Sequence, residues 1–343
     1  MPERILVIRL SAMGDIIMAS PLIGALRARY PNAHIGWLVQ PEFAPLLRDH
    51  PDLDEVIVWP RRQWAELWRN GGYRELARTV RAFRAELRRR HFDLALDLQG
   101  LLKSAVFAWL SGAPRRVGLD SREGSGRLVT EVVSSAAADG SLIGSEYRHL
   151  ADHLGLDTRR FPMRVGIGAG ARASVDALLS AQDAPYAVIC PFTTRPQKHW
   201  TEDHWVDLVA ALRQRFGLQV VMLGGPGDRD AARRVVERID VLDLVGTTSL
   251  QEAAEVVRRA ACLVGVDTGL THLGSAFGIA TVALFGSTRP YLRTESPRTR
   301  VVFHALSCAP CRRRPTCGGS FECMAGITPS EVAEHLQALL EAA

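Results

Sequence analysis

Short, almost unbroken apolar runs alternate with amphipathic segments along this chain, and the alternation happens twice. In the first half "RILVIRL" is followed by a helical pattern from about Gly14 to Tyr30, then by "HIGWLVQ" and "EVIVW". A basic helix spans about Arg74 to Arg90, "DLALDL" follows, then a helix from about Leu101 to Ser111, and "RRVGL". Strands that are apolar on both faces and separated by helices imply a parallel sheet covered on both sides. Around "GIGAGARAS" the pattern loosens into small residues, and then it restarts. "YAVICPF", "QVVMLGG", "VLDLVG", "CLVGVD" and "TVALFGS" alternate with helices, among them Glu202 to Phe216 and one capped by Thr248 or Ser249 with Glu252 in capping-box position. At 343 residues the chain is long for one core. The expected fold class is α/β, with two Rossmann-like doubly wound domains facing across a cleft. They cover residues 1–167 and 168–327, and a closing helix over 328–343 carries an apolar stripe of Val332, Leu336, Leu339 and Leu340.

No run of about 18 apolar residues exists to span a bilayer. "ILVI" is short and is followed by Arg9, so it does not read as a signal peptide, and the expectation is a cytoplasmic protein. The chain has 42 Lys plus Arg against 37 Asp plus Glu, which points to an anionic partner: nucleic acid, a phosphorylated metabolite or an acidic membrane surface. Only Lys103 and Lys198 are lysines. They mark positions where a compact ammonium is used in place of a planar guanidinium.

In such folds ligands sit at the carboxyl ends of the strands. "CLVGVD" runs into "TGLTHLGSAFG", so Asp267 ends a strand while Thr268, Gly269, Leu270 and Thr271 form a helix's first turn. Free N–H groups and the positive end of the helix dipole favour an anion there. "PFTTRPQKHW" brings Thr193, Thr194 and Lys198 to the same edge. "GGPGDRD" adds Gly224 and Gly225 for close approach and Asp228 to accept ribose hydroxyls. Three such loops suggest a nucleotide diphosphate site. G-x-G-x-x-G does not follow the first strand, which argues against a dehydrogenase. The first strand leads instead to Ser11, Ala12, Met13 and Gly14, and then to Asp15, a carboxylate at a strand-to-helix turn.

In "RLSAMGDIIMASP", "LDLQGLLKSA", "TTRPQKHW", "GGPGDRD" and "VDTGLTHLGSAFG" the sequence resembles the ADP-heptose:lipopolysaccharide heptosyltransferases nearly end to end. The resemblance implies a GT-B fold, with the acceptor mainly on the first domain and the nucleotide sugar mainly on the second. It implies inverting transfer of L-glycero-D-manno-heptose from ADP-heptose to the Kdo or heptosyl inner core carried on lipid A, with no cofactor required for catalysis. Asp15 then matches the family's general base. Lys198, Thr193, Thr194 and the helix beginning at Thr268 stabilise the departing ADP. Asp228, Asp267, Gly269 and His272 complete the donor site. Asp228 stands where relatives often carry Glu, and His272 one turn into a helix also suits a packed, hydrogen-bonded residue. On the acceptor side the resemblance assigns Arg9, in place of a lysine, with Arg61 and Arg62 of "WPRRQW", matching a basic loop near the acceptor, and Arg122 of "LDSREG", matching another. Arginine pairs with carboxylate or phosphate bidentately.

Cys190 and Cys262 fall in strands and read as inert. Cys308, Cys311, Cys317 and Cys323 form "CAPCRRRPTCGGSFEC", whose C-x-x-C pair and two further cysteines read as structural ligation of zinc or iron, or as a redox-labile cluster. The cysteine spacing pulls toward heptosyltransferase II, while "RRQW" and "TTRPQKHW" pull toward heptosyltransferase I. "RELARTVRAFRAELRRR" carries an apolar line at Leu76, Val80, Phe83 and Leu87 with arginines elsewhere, suited to peripheral contact with the anionic inner-membrane leaflet. The residues alone leave open a GT-B transferase or epimerase using another nucleotide sugar. A non-catalytic protein binding nucleic acid or lipopolysaccharide would explain the charge, but not why Asp15, Lys198 and Asp267 fall at strand ends. No nucleic-acid partner is expected.

Overall fold

The computed structural model describes residues 1–120, 123–180, 184–288, 290–311 and 314–342. Among these, the first sheet contains β1 (Arg4–Ile8), β2 (His34–Val39), β3 (Glu55–Val58), β4 (Leu94–Asp97), β5 (Arg115–Leu119) and β6 (Glu131–Val133). Helices α1 (Met13–Ala19), α2 (Pro21–Arg29), α3 (Pro45–Arg48), α4 (Arg61–Arg69), α5 (Tyr73–Arg89), α6 (Leu102–Ser111) and α7 (Ser145–His153) accompany it. The strand order is β3-β2-β1-β4-β5-β6, and every pairing is parallel. Side chains alternate between two apolar layers. Ile5, Val7 and Leu96 face one, Leu6, Ile8 and Ala95 the other, so both faces of the sheet are buried.

The second sheet repeats the plan with β7 (Tyr186–Cys190), β8 (Gln219–Met222), β9 (Leu242–Asp243), β10 (Cys262–Val266), β11 (Ala280–Phe285) and β12 (Thr299–Phe303). Its helices are α8 (Ala169–Leu178), α9 (Glu202–Phe216), α10 (Arg229–Val236), α11 (Leu250–Arg259), α12 (Gly269–Phe277), α13 (Glu322–Ala325) and α14 (Pro329–Glu341). The order is β12-β11-β10-β7-β8-β9, again parallel. In each sheet the winding direction reverses between the first strand and the fourth, at β1/β4 and at β7/β10. Such switch points open a crevice at the strands' carboxyl ends.

The chain divides into two units: Met1–Gly140 with Gly144–Gly166, and Ser141–Ile143 with the chain from Ile167 onward. The excursion of 141–143 is held by the Ile143 N–H, which donates to the Arg293 carbonyl at 3.0 Å. The closing helix is not a separate segment. Val332, Leu336 and Leu339 of α14 are buried in the second unit's core.

Two local expectations need correction. The helix expected from Gly14 to Tyr30 is two helices, because Pro21 has no N–H to continue α1 and starts α2 as a first-turn proline. The Ser20 hydroxyl at the break donates to the Ile17 carbonyl and accepts from the Arg164 N–H. "WPRRQW", expected as a loop, opens helix α4. Trp64 anchors that helix on Phe83 and Phe107, which outweighs the loop character of the preceding Pro60. The capping box at Ser249 and Glu252 forms as expected: the Ser249 N–H donates to Glu252 at 2.6 Å and Ser249 Oγ accepts from the Glu252 N–H at 3.3 Å.

Candidate functional site

At the first switch point β1 delivers Arg9 and the loop that begins α1, whose third residue is Asp15. Asp15 Oδ2 accepts from the Ala12 N–H at 3.0 Å, so the carboxylate does close the helix's first turn. The same oxygen pairs with Arg9 Nη2 at 2.6 Å. Oδ1 makes no hydrogen bond among the described residues, and the Asp15 side chain keeps 35% of its surface exposed. Arg9 is 11% exposed. Its other contacts are inward: it donates to the Leu98 carbonyl at 2.9 Å and lies over the Tyr147 ring at 5.8 Å. Arg9 therefore contacts Asp15 directly and fixes its rotamer, where the sequence suggests an acceptor contact for it.

β4, beside β1, ends at Asp97, which is 1% exposed. Burial pushes its carboxyl up to about 6, against the pull of Ser104, the Gln99 and Gly100 N–H groups and Arg9. The Gln99 side chain accepts from the Leu10 N–H at 3.1 Å, pinning the loop that leads to Asp15. Nearby, Lys103 has its ammonium pushed down by partial burial and by the Arg61 and Arg9 charges, with Glu123 opposing. Lys103 and Arg61 thus form a cationic pair in the first unit. Arg61 and Arg62 are exposed at the start of α4, and Arg62 reaches Glu42 at 3.3 Å. Arg122 lies outside the described residues.

At the second switch point the loops after β7 and β10 meet. Lys198 Nζ donates to Asp267 Oδ2 at 2.6 Å, and both side chains are 16% exposed. Thr288, two residues past Gly286 in the loop after β11, donates to the same oxygen at 2.7 Å. His272 Nε2 stands 3.7 Å from Asp267 Oδ1, and the Tyr291 hydroxyl lies 2.5 Å from His272 Nδ1. Burial alone would raise the Asp267 carboxyl. His272 and Lys198 beside it reverse that and hold it well below the usual carboxylate range. The carboxylate is therefore a fixed negative charge that orients a lysine.

Thr268 is the N-cap of α12 in extended conformation and Gly269 its first residue; the Thr268 side chain makes no cap bond. The helix lies close to β10 because Gly265 has no side chain: a Cβ there would collide with Thr271 Oγ1 and sit 2.9 Å from Cys190 Cβ. Thr193 is half-buried and its carbonyl accepts from His199 at 2.9 Å, while Thr194 is exposed. Asp228 Oδ2 accepts from the Gly225 N–H at 2.8 Å, so this carboxylate closes its own turn and has its second oxygen left for a ligand. The structure thus gathers Lys198, Asp267, Thr268, Gly269 and His272 around one strand end, with Thr193, Thr194 and Asp228 on loops of neighbouring strands.

Thr288 and Tyr291 belong to no motif of the sequence. The available signal was their place after β11, a strand next to β10 in a parallel sheet, whose trailing loop must reach the same edge.

Cys190 and Cys262 are fully buried, and burial pushes both thiols up, Cys262 to about 12. Cys323 is buried, its sulfur against Gly286, where a Cβ would stand 2.8 Å away. Burial, then the charges of Cys311, Cys308 and Cys317, raise its thiol, while Phe321 and Gly319 N–H groups lower that of Cys317. The four residues are neighbours. Even so, among the described residues no group of three or more His, Cys, Asp or Glu is arranged to hold a metal ion, and no metal is assigned to them.

Comparison with known proteins agrees with this fold. The model of glycosyltransferase family 9 (heptosyltransferase) matches residues 80–320. Lipopolysaccharide heptosyltransferase 1 of Salmonella typhimurium is 31% identical over 293 residues, covering 84% of this chain and 90% of that protein. The solved ADP-heptose lps heptosyltransferase II of E. coli superposes with a TM-score of 0.76 at 26% identity, covering 99% of both chains. E. coli heptosyltransferase WaaC with ADP-2-deoxy-2-fluoro heptose gives 0.72 at 25% identity, covering 98% of this chain and 99% of that one. The two doubly wound units are those of a GT-B glycosyltransferase, and the chain belongs to glycosyltransferase family 9, as a heptosyltransferase of lipopolysaccharide synthesis.

Proposed function

We propose that this chain moves L-glycero-D-manno-heptose from ADP-heptose to the Kdo or heptosyl inner core of lipid A with inversion at the anomeric carbon, at the cytoplasmic face of the inner membrane. The observation that carries the donor assignment is the Lys198–Asp267–Thr288 network beside the N-terminus of α12. A lysine held by a fixed carboxylate, next to free helix N–H groups, is suited to a pyrophosphate whose charge grows as it leaves. The E. coli relative solved with an ADP-heptose analogue supports the same donor.

In the first unit Asp15 receives the acceptor proton. The acceptor hydroxyl oxygen attacks the anomeric carbon, its proton passes to Asp15 Oδ1, and the bond from that carbon to the diphosphate oxygen breaks, leaving its electron pair on ADP. Arg9 holds the carboxylate aimed, and a base in that position is worth about 10²–10⁴-fold in rate. Lys103 and Arg61 supply cations for the acceptor's carboxylates or phosphates. Lys198 and the α12 N-terminus stabilise the departing ADP.

The test is incubation with ADP-heptose and either Kdo₂-lipid A or heptosyl-Kdo₂-lipid A, followed by mass spectrometry and by NMR of the new anomeric centre. Product from either acceptor, with inverted configuration, supports the reading and identifies which heptose is added. Transfer only from another nucleotide sugar, or with retained configuration, overturns it.

A further inference from the structure

Helices α4, α5 and α6 cover one face of the first sheet. Their inward sides meet in a single aromatic cluster: Trp64 of α4 lies 5.7 Å from Phe83 of α5 and 6.2 Å from Phe107 of α6, ring centre to ring centre. Their outward sides have a different chemistry. The three helices hold ten of the chain's Lys and Arg against three Glu, a net charge of +7, in a chain whose total is +5. The rest of the molecule is therefore slightly acidic. The net positive charge is carried by these three helices.

The same helices expose apolar surface. Trp68 is 63% exposed, Tyr73 58%, Trp109 47% and Leu102 45%; among the described residues no other aromatic side chain is exposed to this degree. Trp68 and Tyr73 pack edge to face at 5.3 Å where α4 turns into α5, and the Arg84 guanidinium lies over Trp109 at 5.7 Å. None of these rings is needed to close the core, which Trp64, Phe83 and Phe107 already fill.

Exposed tryptophan and tyrosine among arginines suit one environment in particular, the headgroup layer of an anionic bilayer. There the ring body is apolar, its polar edge is wet, and phosphates meet the guanidinium groups. We propose that the outward face of α4, α5 and α6 is a docking surface for an anionic lipid bilayer, with Trp68, Tyr73, Leu102 and Trp109 entering the interface and the exposed arginines of α5 lying along it. Over 17 residues α5 is about 25 Å long, so its arginines Arg74, Arg78, Arg81, Arg88 and Arg89 spread charge over a surface and do not converge on a pocket. This inference rests on the reading that the acceptor is carried by a membrane lipid.

The experiment is co-sedimentation with vesicles of phosphatidylcholine alone or with about 30% phosphatidylglycerol, alongside transfer to a delipidated, water-soluble core acceptor. The full chain is expected on the anionic vesicles only, and to be released by salt. The W68S/Y73S double variant should bind them at least tenfold more weakly, and R74Q and R81Q about fivefold more weakly each. All three should turn over the soluble acceptor within twofold of wild type, which shows them folded. Wild-type affinity in W68S/Y73S and in both R74Q and R81Q, equal binding to neutral vesicles, or tighter capture by a single-stranded oligonucleotide than by anionic vesicles overturns the proposal. Vesicle binding that follows this pattern without any heptose transfer would remove the functional reading and leave the docking surface standing.

Discussion

The two switch points have the same architecture and opposite carboxylates. Asp15 and Asp267 each follow a central parallel strand, and each has one oxygen bonded to a cation at 2.6 Å. Asp15 keeps 35% of its side-chain surface and an oxygen with no bond among the described residues, whereas Asp267 keeps 16% and shares its charge among Lys198, Thr288 and His272. An acid that must take up a proton needs an open lone pair. An acid that must hold a lysine in place needs none. The same strand-end position can therefore serve a reacting group or a scaffold, and the partners decide which.

The largest expected effect separates the two. Asp15→Asn keeps the shape and the Ala12 bond but removes the proton acceptor, so turnover should fall about 10²–10⁴-fold. ADP affinity, measured by calorimetry, should stay within twofold, because the donor site belongs to the other unit. Turnover within threefold of wild type would remove Asp15 as base. Asp267→Asn should do the reverse kind of damage. It leaves the Lys198 ammonium poorly compensated in a mostly buried place, which costs about 3–5 kcal/mol of stability, and it should weaken ADP. Because the Asp267 carboxyl lies below its unfolded value, its contribution is present above about pH 4 and is lost as pH falls. Urea unfolding at pH 7 and pH 3.5 should show that acid loss in the wild type and not in the variant.

A third carboxylate runs the other way in pH. Asp97 is buried and titrates near 6, above its ordinary value of 3.8. The folded state holds a proton there that the unfolded state releases, so this group's contribution is full below about pH 4 and is lost as pH rises through 6. The loss amounts to about 2–3 kcal/mol. Asp97→Asn should flatten the stability profile between pH 4 and 7 by that amount; an unchanged slope would mean Asp97 is ionised throughout.

The parallel strands are legible in the sequence because burial on both faces leaves a continuous apolar signature, as in "RILVI" and "YAVIC". Asp15, Lys198 and Asp267 are legible because strand ends in such sheets line the crevice. What the sequence hides is pairing across the sheet. Nothing near position 9 announces that Arg9 turns inward to Asp15, since an arginine after a strand reads equally well as a free anion ligand. α4 is hidden for a similar reason: its helix depends on Trp64 finding Phe83 and Phe107, residues 19 and 43 positions away. The exposed Trp68 and Trp109 are indistinguishable from core aromatics until burial is known.

The smallest effect sharpens the comparison most finely. Asp15 has a direct cation partner and needs no further support, but Asp267 faces His272, whose ring has two orientations and two tautomers. The hydrogen bond between the Tyr291 hydroxyl and Nδ1 fixes the ring orientation that turns Nε2 toward Asp267. Tyr291 is thus a positioning residue one step behind the donor site. Tyr291→Phe retains the ring contact with Phe285, 5.1 Å between centres, and removes only the hydroxyl. The net contribution of one such bond is about 1 kcal/mol, so ADP affinity should drop about threefold to tenfold, with kcat on saturating donor changed less than twofold. A purely structural hydroxyl would lower the melting temperature without altering the ring nitrogens. A positioning one should change the nitrogen-15 signals of His272, assigned against His272→Gln, from a single tautomer to a mixture. Unchanged signals together with unchanged ADP affinity would reduce Tyr291 to packing and leave Lys198 and Thr288 as the groups that keep Asp267 in place.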